Sequence, residues 1–295
     1  MKTSFAGIFP YLPTPVFNNG DVNTKVLGQL CDDLISQGVH GLSPLGSTGE
    51  FPYLTWQQKC QVVEATISAS SGRVPVIGSV SSTTTSGAIY QARHFEKMGC
   101  EGILVILDTY FPVTEENQIA YFKAVAASIS LPMVIYTNPA FAQQELSSEV
   151  IIRLSEIENI EYLKDASSNT GKLLTIINET RGKLKVFSAS AHIPTSVMLI
   201  GGVGWMAGPA CLVPKKSIRL YNLCQEGKWE EAIALQKKLW LINQIFSKFN
   251  LAACIKAGLE IQGYPVGSPI PPQAPLTDKE KAKVCKVLKE IADDD

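Results

Sequence analysis

Ile103-Leu104-Val105-Ile106-Leu107 is a continuous apolar run between Gly102 and Asp108. A run this short and uniformly apolar suits a strand buried on both faces, the habit of a parallel sheet covered by helices. Met133-Val134-Ile135-Tyr136 repeats it. Working outward, strands are predicted at residues 7–16, 41–45, 74–80, 102–107, 132–138, 161–166, 184–188 and 202–207. Amphipathic helical stretches lie between them at 24–37, 55–70, 86–98, 115–129 and 146–157. Thr55 and Thr114 offer hydroxyls to cap first-turn amides, and Gly38, Gly72 and Gly99 stand where helices should stop.

Strict alternation of strands and helices predicts a closed (β/α)8 barrel over residues 1–215. A doubly wound open sheet would need a glycine-rich phosphate turn after the first strand, and residues 8–17 carry none. Beyond Pro214 the strands cease. Helices are expected at 216–225, 229–249, 252–262 and 278–291, with a proline-rich segment at 265–275, giving a C-terminal helical region over 216–295.

The 295 residues are 45% hydrophobic and 18% charged, with a net charge of −1, which fits a globular chain with a sizeable core. No run of Lys or Arg marks a nucleic-acid groove or a membrane-surface patch. The seven cysteines are scattered and odd in number, without a Cys-x-x-Cys pair, which argues against a disulfide framework or a thiolate zinc site and fits a reducing cytoplasm. The N-terminus lacks the apolar core of a signal peptide, and no apolar run is long enough to span a membrane. His40, His94 and His192 share no metal-ligand spacing, and no metal is expected.

In such a barrel the chemistry sits at the C-terminal ends of the strands. Lys164 lies near the end of the sixth predicted strand. Burying an ammonium there is costly, so its pKa should fall, and the neutral amine is the form that attacks a ketone to give an imine. The alternative is a strand-end lysine paired to Asp165. Tyr136 ends the fifth strand before Asn138-Pro139, either as a proton shuttle or as a rim aromatic. Gly46-Ser47-Thr48-Gly49 follows the second strand; its amides and hydroxyls suit a small anion nest for a carboxylate, or simply a loop with a helix cap. Tyr110 and Phe111 follow the fourth strand and read as rim packing when taken alone.

Together, these positions after strands two, four, five and six resemble the dihydrodipicolinate synthase / N-acetylneuraminate lyase family of pyruvate-dependent aldolases. The likeness extends into the tail through Lys256, Ala257, Gly258, Gly263 and Pro275-Leu276. It implies a class I aldolase or lyase in which Lys164 forms a Schiff base with a 2-oxo acid and Tyr136 moves protons over the imine. Ser47 and Thr48 would bind the carboxylate and link the tyrosines. Tyr110 would reach in from a neighbouring subunit, and Gly46 and Gly49 would shape the loop. It further implies a 2-oxo acid and an aldehyde as partners, no cofactor beyond the lysine imine, and a homotetramer built as a dimer of dimers.

Two departures bear on the second substrate. Synthase members carry an arginine near the place of Phe141, which argues against dipicolinate-pathway synthesis. Sialic acid lyases carry acidic groups after strand seven, where this chain has Ser188 and Ser190, and Trp205 and Met206 follow at strand eight. Unpaired sugar hydroxyls would be costly there. Phe141, Ser190, Trp205 and Met206 therefore predict a smaller or more apolar aldehyde. The rival readings are a hydratase-aldolase acting on aromatic pyruvate adducts, a 2-oxo acid dehydratase using the same imine, a synthase despite the missing arginine, and a non-catalytic binding protein on the same barrel.

Overall fold

The computed structural model describes residues 4–139, 145–189 and 193–292. In chain order the elements are β1 (Gly7–Pro10), α1 (Thr24–Ser36), α2 (Trp56–Ser70), β2 (Ile77–Ser82), α3 (Thr85–Met98), β3 (Gly102–Leu107), α4 (Glu115–Ala126) and β4 (Met133–Thr137). They continue with α5 (Ser148–Leu154), β5 (Ile160–Asp165), α6 (Thr170–Glu179), β6 (Lys185–Ser188), α7 (Pro194–Leu199) and β7 (Gly204–Ala207). Four helices close the chain: α8 (Pro214–Gln225), α9 (Trp229–Phe246), α10 (Leu251–Ile261) and α11 (Asp278–Ala292). This is the element order of a (β/α)8 barrel followed by a helical C-terminal region, as the sequence predicts.

The chain packs as two compact units. Among the described residues, the first comprises those within 4–6 and 75–206, the second those within 7–74 and 207–292. In the first, β2 to β7 form a parallel sheet in which each strand pairs with the next in sequence. Its strands are the apolar runs read from the sequence: all of β4 is buried, as is β3 up to Ile106. The expected caps hold. Thr114 accepts from the Asn117 amide at the start of α4, and Gly99 ends α3 at φ 104, a left-handed geometry that a side chain would strain. Helices α6 and α7 begin after Asn169 and at Pro194. Near the chain start, the Phe5 amide donates to the Tyr162 hydroxyl at 2.9 Å, and Lys185 stands 5.3 Å from the Tyr162 ring centroid.

In the second unit, β1 pairs with the expected second strand only through a short parallel bridge, Tyr11 to Ser43, supported by amide bonds from His40 to Ile8 and from Ser43 to Pro10. The Tyr11 amide donates to the Ala207 carbonyl, so β1 is held from two sides. At α2, Thr55 and Gln58 form a reciprocal capping box. Among the described residues, no helix is long and apolar enough to cross a membrane. All seven cysteines are free.

His40 has a defined structural task. Its Nδ1 accepts the Ile8 amide at 3.1 Å, its ring meets Tyr221 edge-on, and it fills the space that a side chain at Gly7 would need. An accepting Nδ1 carries no proton, and burial pushes the imidazole pKa below its ordinary 6.5. Just below that value the unfolded chain binds a proton that the native chain refuses. The contribution is therefore complete above the unfolded pKa and fades as pH falls towards the folded one. Thermal unfolding should show the wild-type advantage over His40→Asn shrinking as pH drops from about 7 to about 5. An advantage independent of pH would leave His40 a mere space-filler.

Candidate active site

Strands β4 and β5 run in register, with Tyr136 opposite Lys164 and Thr137 opposite Asp165. Side chains alternate along a strand, so Tyr136 and Lys164 share one face and Thr137 and Asp165 the other. The Lys164 amine lies 4.1 Å from the Tyr136 ring centroid. Both residues are buried, at 3% and 4% exposure. Burial alone drives the Lys164 pKa well below the usual 10.5. The register extends to Phe187 and Gly204 on one side and to Ile106 on the other, so this face is mostly apolar around the amine.

Asp165 has a different environment. Its carboxylate accepts the Ser167 amide at 2.7 Å and the Ser167 hydroxyl, and meets the Lys172 amine at 3.1 Å. Lys172 also reaches Glu145 at 2.6 Å. The carboxylate next to Lys164 in sequence is thus met by a second lysine, across the strand from the first. Arg153 pairs through both terminal nitrogens with Glu116, at 2.7 and 3.0 Å. Lys172, the cation beside Asp165, and Arg153, in an exposed pair between α4 and α5, are therefore both engaged with carboxylates.

Asn138 is a member of the site that the sequence reading passed over. Its amide nitrogen donates to the Tyr136 phenol oxygen at 2.8 Å, and it is 6% exposed. The signal was present in the spacing: residues two apart at a strand end project to the same side.

The expected substrate-contacting residues divide. Met206, fully buried, falls in phase with Gly204 and hence with the Lys164 face. Trp205 pairs with Ser188, in phase with Asp165, so it projects to the opposite face; its indole donates to the Ala189 carbonyl at 3.3 Å. Phe141 and Ser190 lie outside the described residues. Tyr110 and Phe111 are 79% and 73% exposed and meet edge to face, 4.9 Å between centroids, so this chain presents them to solvent.

The glycine-rich loop belongs to the second unit. Residues Ser47–Gly49 form one 3-10 turn, flanked by two non-glycine residues in left-handed conformation, Leu45 at φ 62 and Glu50 at φ 57. Such conformations persist only where the surroundings enforce them, commonly at ligand sites. A side chain at Gly46 would strike the Tyr11 ring, and one at Gly49 the Leu12 carbonyl. The Thr14 hydroxyl donates to the Gly49 carbonyl at 2.7 Å. The amides of Gly49 and Glu50 bond back to Gly46 and Ser47. The nest is therefore narrower than its four-residue reading, with half-buried Ser47 and buried Thr48 as its hydroxyl donors. Among the described residues, no group of His, Cys, Asp and Glu is placed to hold a metal.

The first unit thus presents a desolvated amine against a phenol that an amide orients, a combination suited to carbonyl addition and proton transfer. Residues 4–291 match the sequence profile of the dihydrodipicolinate synthetase family. The chain is 32% identical over 272 residues to 4-hydroxy-tetrahydrodipicolinate synthase 1 of Halalkalibacterium halodurans, covering 92% of each. It is also 32% identical to the Escherichia coli protein named Probable 2-dehydro-3-deoxy-D-pentonate aldolase YjhH, covering 96% of each. Among solved structures, YagE, an Escherichia coli prophage protein of the dihydrodipicolinic acid synthase family in complex with pyruvate, matches with a TM-score of 0.93 and 29% identity, over 98% of this chain and 99% of that one. Dihydrodipicolinate synthase of Agrobacterium tumefaciens matches with a TM-score of 0.91 and 28% identity, over 97% and 98%. The chain belongs to the dihydrodipicolinate synthetase family, a family of lyases and aldolases on the (β/α)8 barrel.

Proposed function

We propose that this chain is a class I carbon–carbon lyase that joins or releases pyruvate through an imine on Lys164. The supporting observation is the buried Lys164 amine, stripped of water and lying against the Tyr136 ring. The neutral amine adds to C2 of the 2-oxo acid, and the carbinolamine loses water to give a protonated imine. That imine is the electron sink. Breaking the C3–C4 bond leaves the pair as an enamine, which a proton at C3 returns to the imine, and water then frees pyruvate and the amine. In synthesis the enamine attacks an aldehyde. Tyr136 takes the proton from the C4 hydroxyl in cleavage and returns it in synthesis, with Asn138 fixing the phenol. Ser47 and Thr48 hold the carboxylate, and Tyr110 completes the proton path from a second copy in a homotetramer. The route draws on the lysine imine alone, without metal or organic cofactor, in the cytoplasm.

The second substrate is read as a short or aromatic aldehyde without a second carboxylate. Lys172 and Arg153 are already engaged with carboxylates, and Met206 adds apolar surface on the Lys164 face. The Escherichia coli relative's named substrate fits this reading, since aldol cleavage of a 2-dehydro-3-deoxy-pentonate yields pyruvate and a two-carbon hydroxyaldehyde.

Borohydride reduction with pyruvate should add a reduced pyruvyl group to Lys164, and Lys164→Ala should abolish it. The trapping rate should rise with pH and level off well below 10.5, the ordinary lysine value. Labelling of another lysine would overturn the mechanism. Tyr136→Phe should still trap pyruvate but turn over about 10²–10⁴-fold more slowly. Asn138→Ala should lose roughly five- to ten-fold, the worth of one hydrogen bond. In steady-state kinetics, aspartate semialdehyde and N-acetylneuraminate should perform poorly beside short aldehydes. A kcat/KM of about 10⁴ M⁻¹s⁻¹ or more for either one would sink the specificity reading.

A further inference from the structure

Glu50 closes the Gly-Ser-Thr-Gly turn and sends its carboxylate inward. Its Oε1 accepts the Ile270 amide at 2.6 Å and the Gln273 side-chain amide at 2.8 Å, and its Oε2 meets the Lys256 amine at 2.6 Å. Lys256, on α10, also donates to the Ser268 carbonyl at 2.9 Å. The two side chains are 0% and 1% exposed. Burial lowers the Lys256 pKa and Glu50 opposes that shift. Taking two charges out of water is expensive, and an apolar pair of similar volume often serves stability as well or better. Stability alone is therefore a poor reason for an ion pair at this place.

Its position suggests another reason. Glu50 is the left-handed residue that ends the turn, immediately after Thr48-Gly49. The residue before Lys256 on the same helix, Ile255, closes on the backbone of Gly208, as does the Thr48 hydroxyl; a side chain at Gly208 would overlap both. Two consecutive residues of α10 thus flank the loop, one beside Thr48 and one on Glu50. On the loop's other side the Thr14 hydroxyl holds the Gly49 carbonyl. We infer that Lys256 is a positioning residue: through its buried pair with Glu50 it fixes the Ser47–Thr48 turn in the geometry that receives the carboxylate of the 2-oxo acid. This rests on the reading of Ser47 and Thr48 given above. It assigns the C-terminal helices a part in substrate affinity, exerted through the loop and without contact to substrate.

The test is borohydride trapping on the full-length chain across a range of pyruvate concentrations. The variants are Lys256→Met, Glu50→Gln, the double change and Lys256→Arg, with thermal unfolding of each. The double change removes both buried charges and should unfold near the wild-type temperature. It should nevertheless need about ten-fold more pyruvate, or more, for half-maximal trapping, while the rate at saturation stays close to wild type. Glu50→Gln, the mildest change, should shift the half-saturation in the same direction and serves if the Lys256→Met chains fail to fold. Lys256→Arg, which keeps the charge, should recover part of the affinity. Folded variants with wild-type half-saturation would overturn the inference while leaving the aldolase reading intact. If wild type itself trapped no pyruvate, the aldolase reading would fall and this inference with it.

Discussion

Lys164 and Asp165 are neighbours in sequence and strangers in space, because a strand turns successive side chains to opposite faces. Much of the candidate site depends on that alternation. Had both projected to one side, the carboxylate would hold the ammonium charged, and a charged amine does not attack a carbonyl. Instead the amine lies among apolar groups against Tyr136, and the carboxylate is met by Ser167 and Lys172 across the strand. Lys172 thus serves the opposite face of the strand, where it matches the buried carboxylate of Asp165.

The same alternation explains what could be read in advance and what could not. Uniform apolar runs such as Ile103–Leu107 announce buried parallel strands whatever their neighbours, and hydroxyls ahead of helical periodicity announce caps. Lys164 and Tyr136 were legible because strand ends are where a barrel exposes its chemistry. Trp205 was not, since its side of the sheet depends on register, and a slip of one residue reverses every side chain. The run at 41–45 has strand composition but bonds as a bridge, because its own last residue, Leu45, already turns into left-handed geometry. The helices α6 and α7 are short, and α7 has only six residues, fewer than two turns, so its 3.6-residue pattern has little room to repeat.

Long-range partners are the other limit. Nothing near Glu50 in sequence reveals that its carboxylate is matched by Lys256, and nothing near Gly46 that Tyr11 closes on it. Gly-Ser-Thr-Gly reads as an open nest when taken alone. In the folded chain its Gly49 amide bonds back to Gly46 and the Glu50 amide back to Ser47, and its shape comes from residues far along the chain. The short sequence pattern specifies the chemistry of a loop, and the enclosing fold its geometry.

That distance has a temporal side. The bond from the Ile270 amide to Glu50 spans 220 residues. During synthesis at about 5–20 residues per second, the loop leaves the ribosome many seconds before the segment that holds it. Through that interval Glu50 remains a hydrated carboxylate on an unanchored turn, while β2 to β7 are completed ahead of its partners. Closing so long a loop delays folding more than it taxes stability, because its entropy rises only slowly with length. Maturation of the Ser47–Glu50 loop therefore belongs to the last stage of the chain's assembly, and a nascent chain arrested before α10 would carry this loop still unanchored.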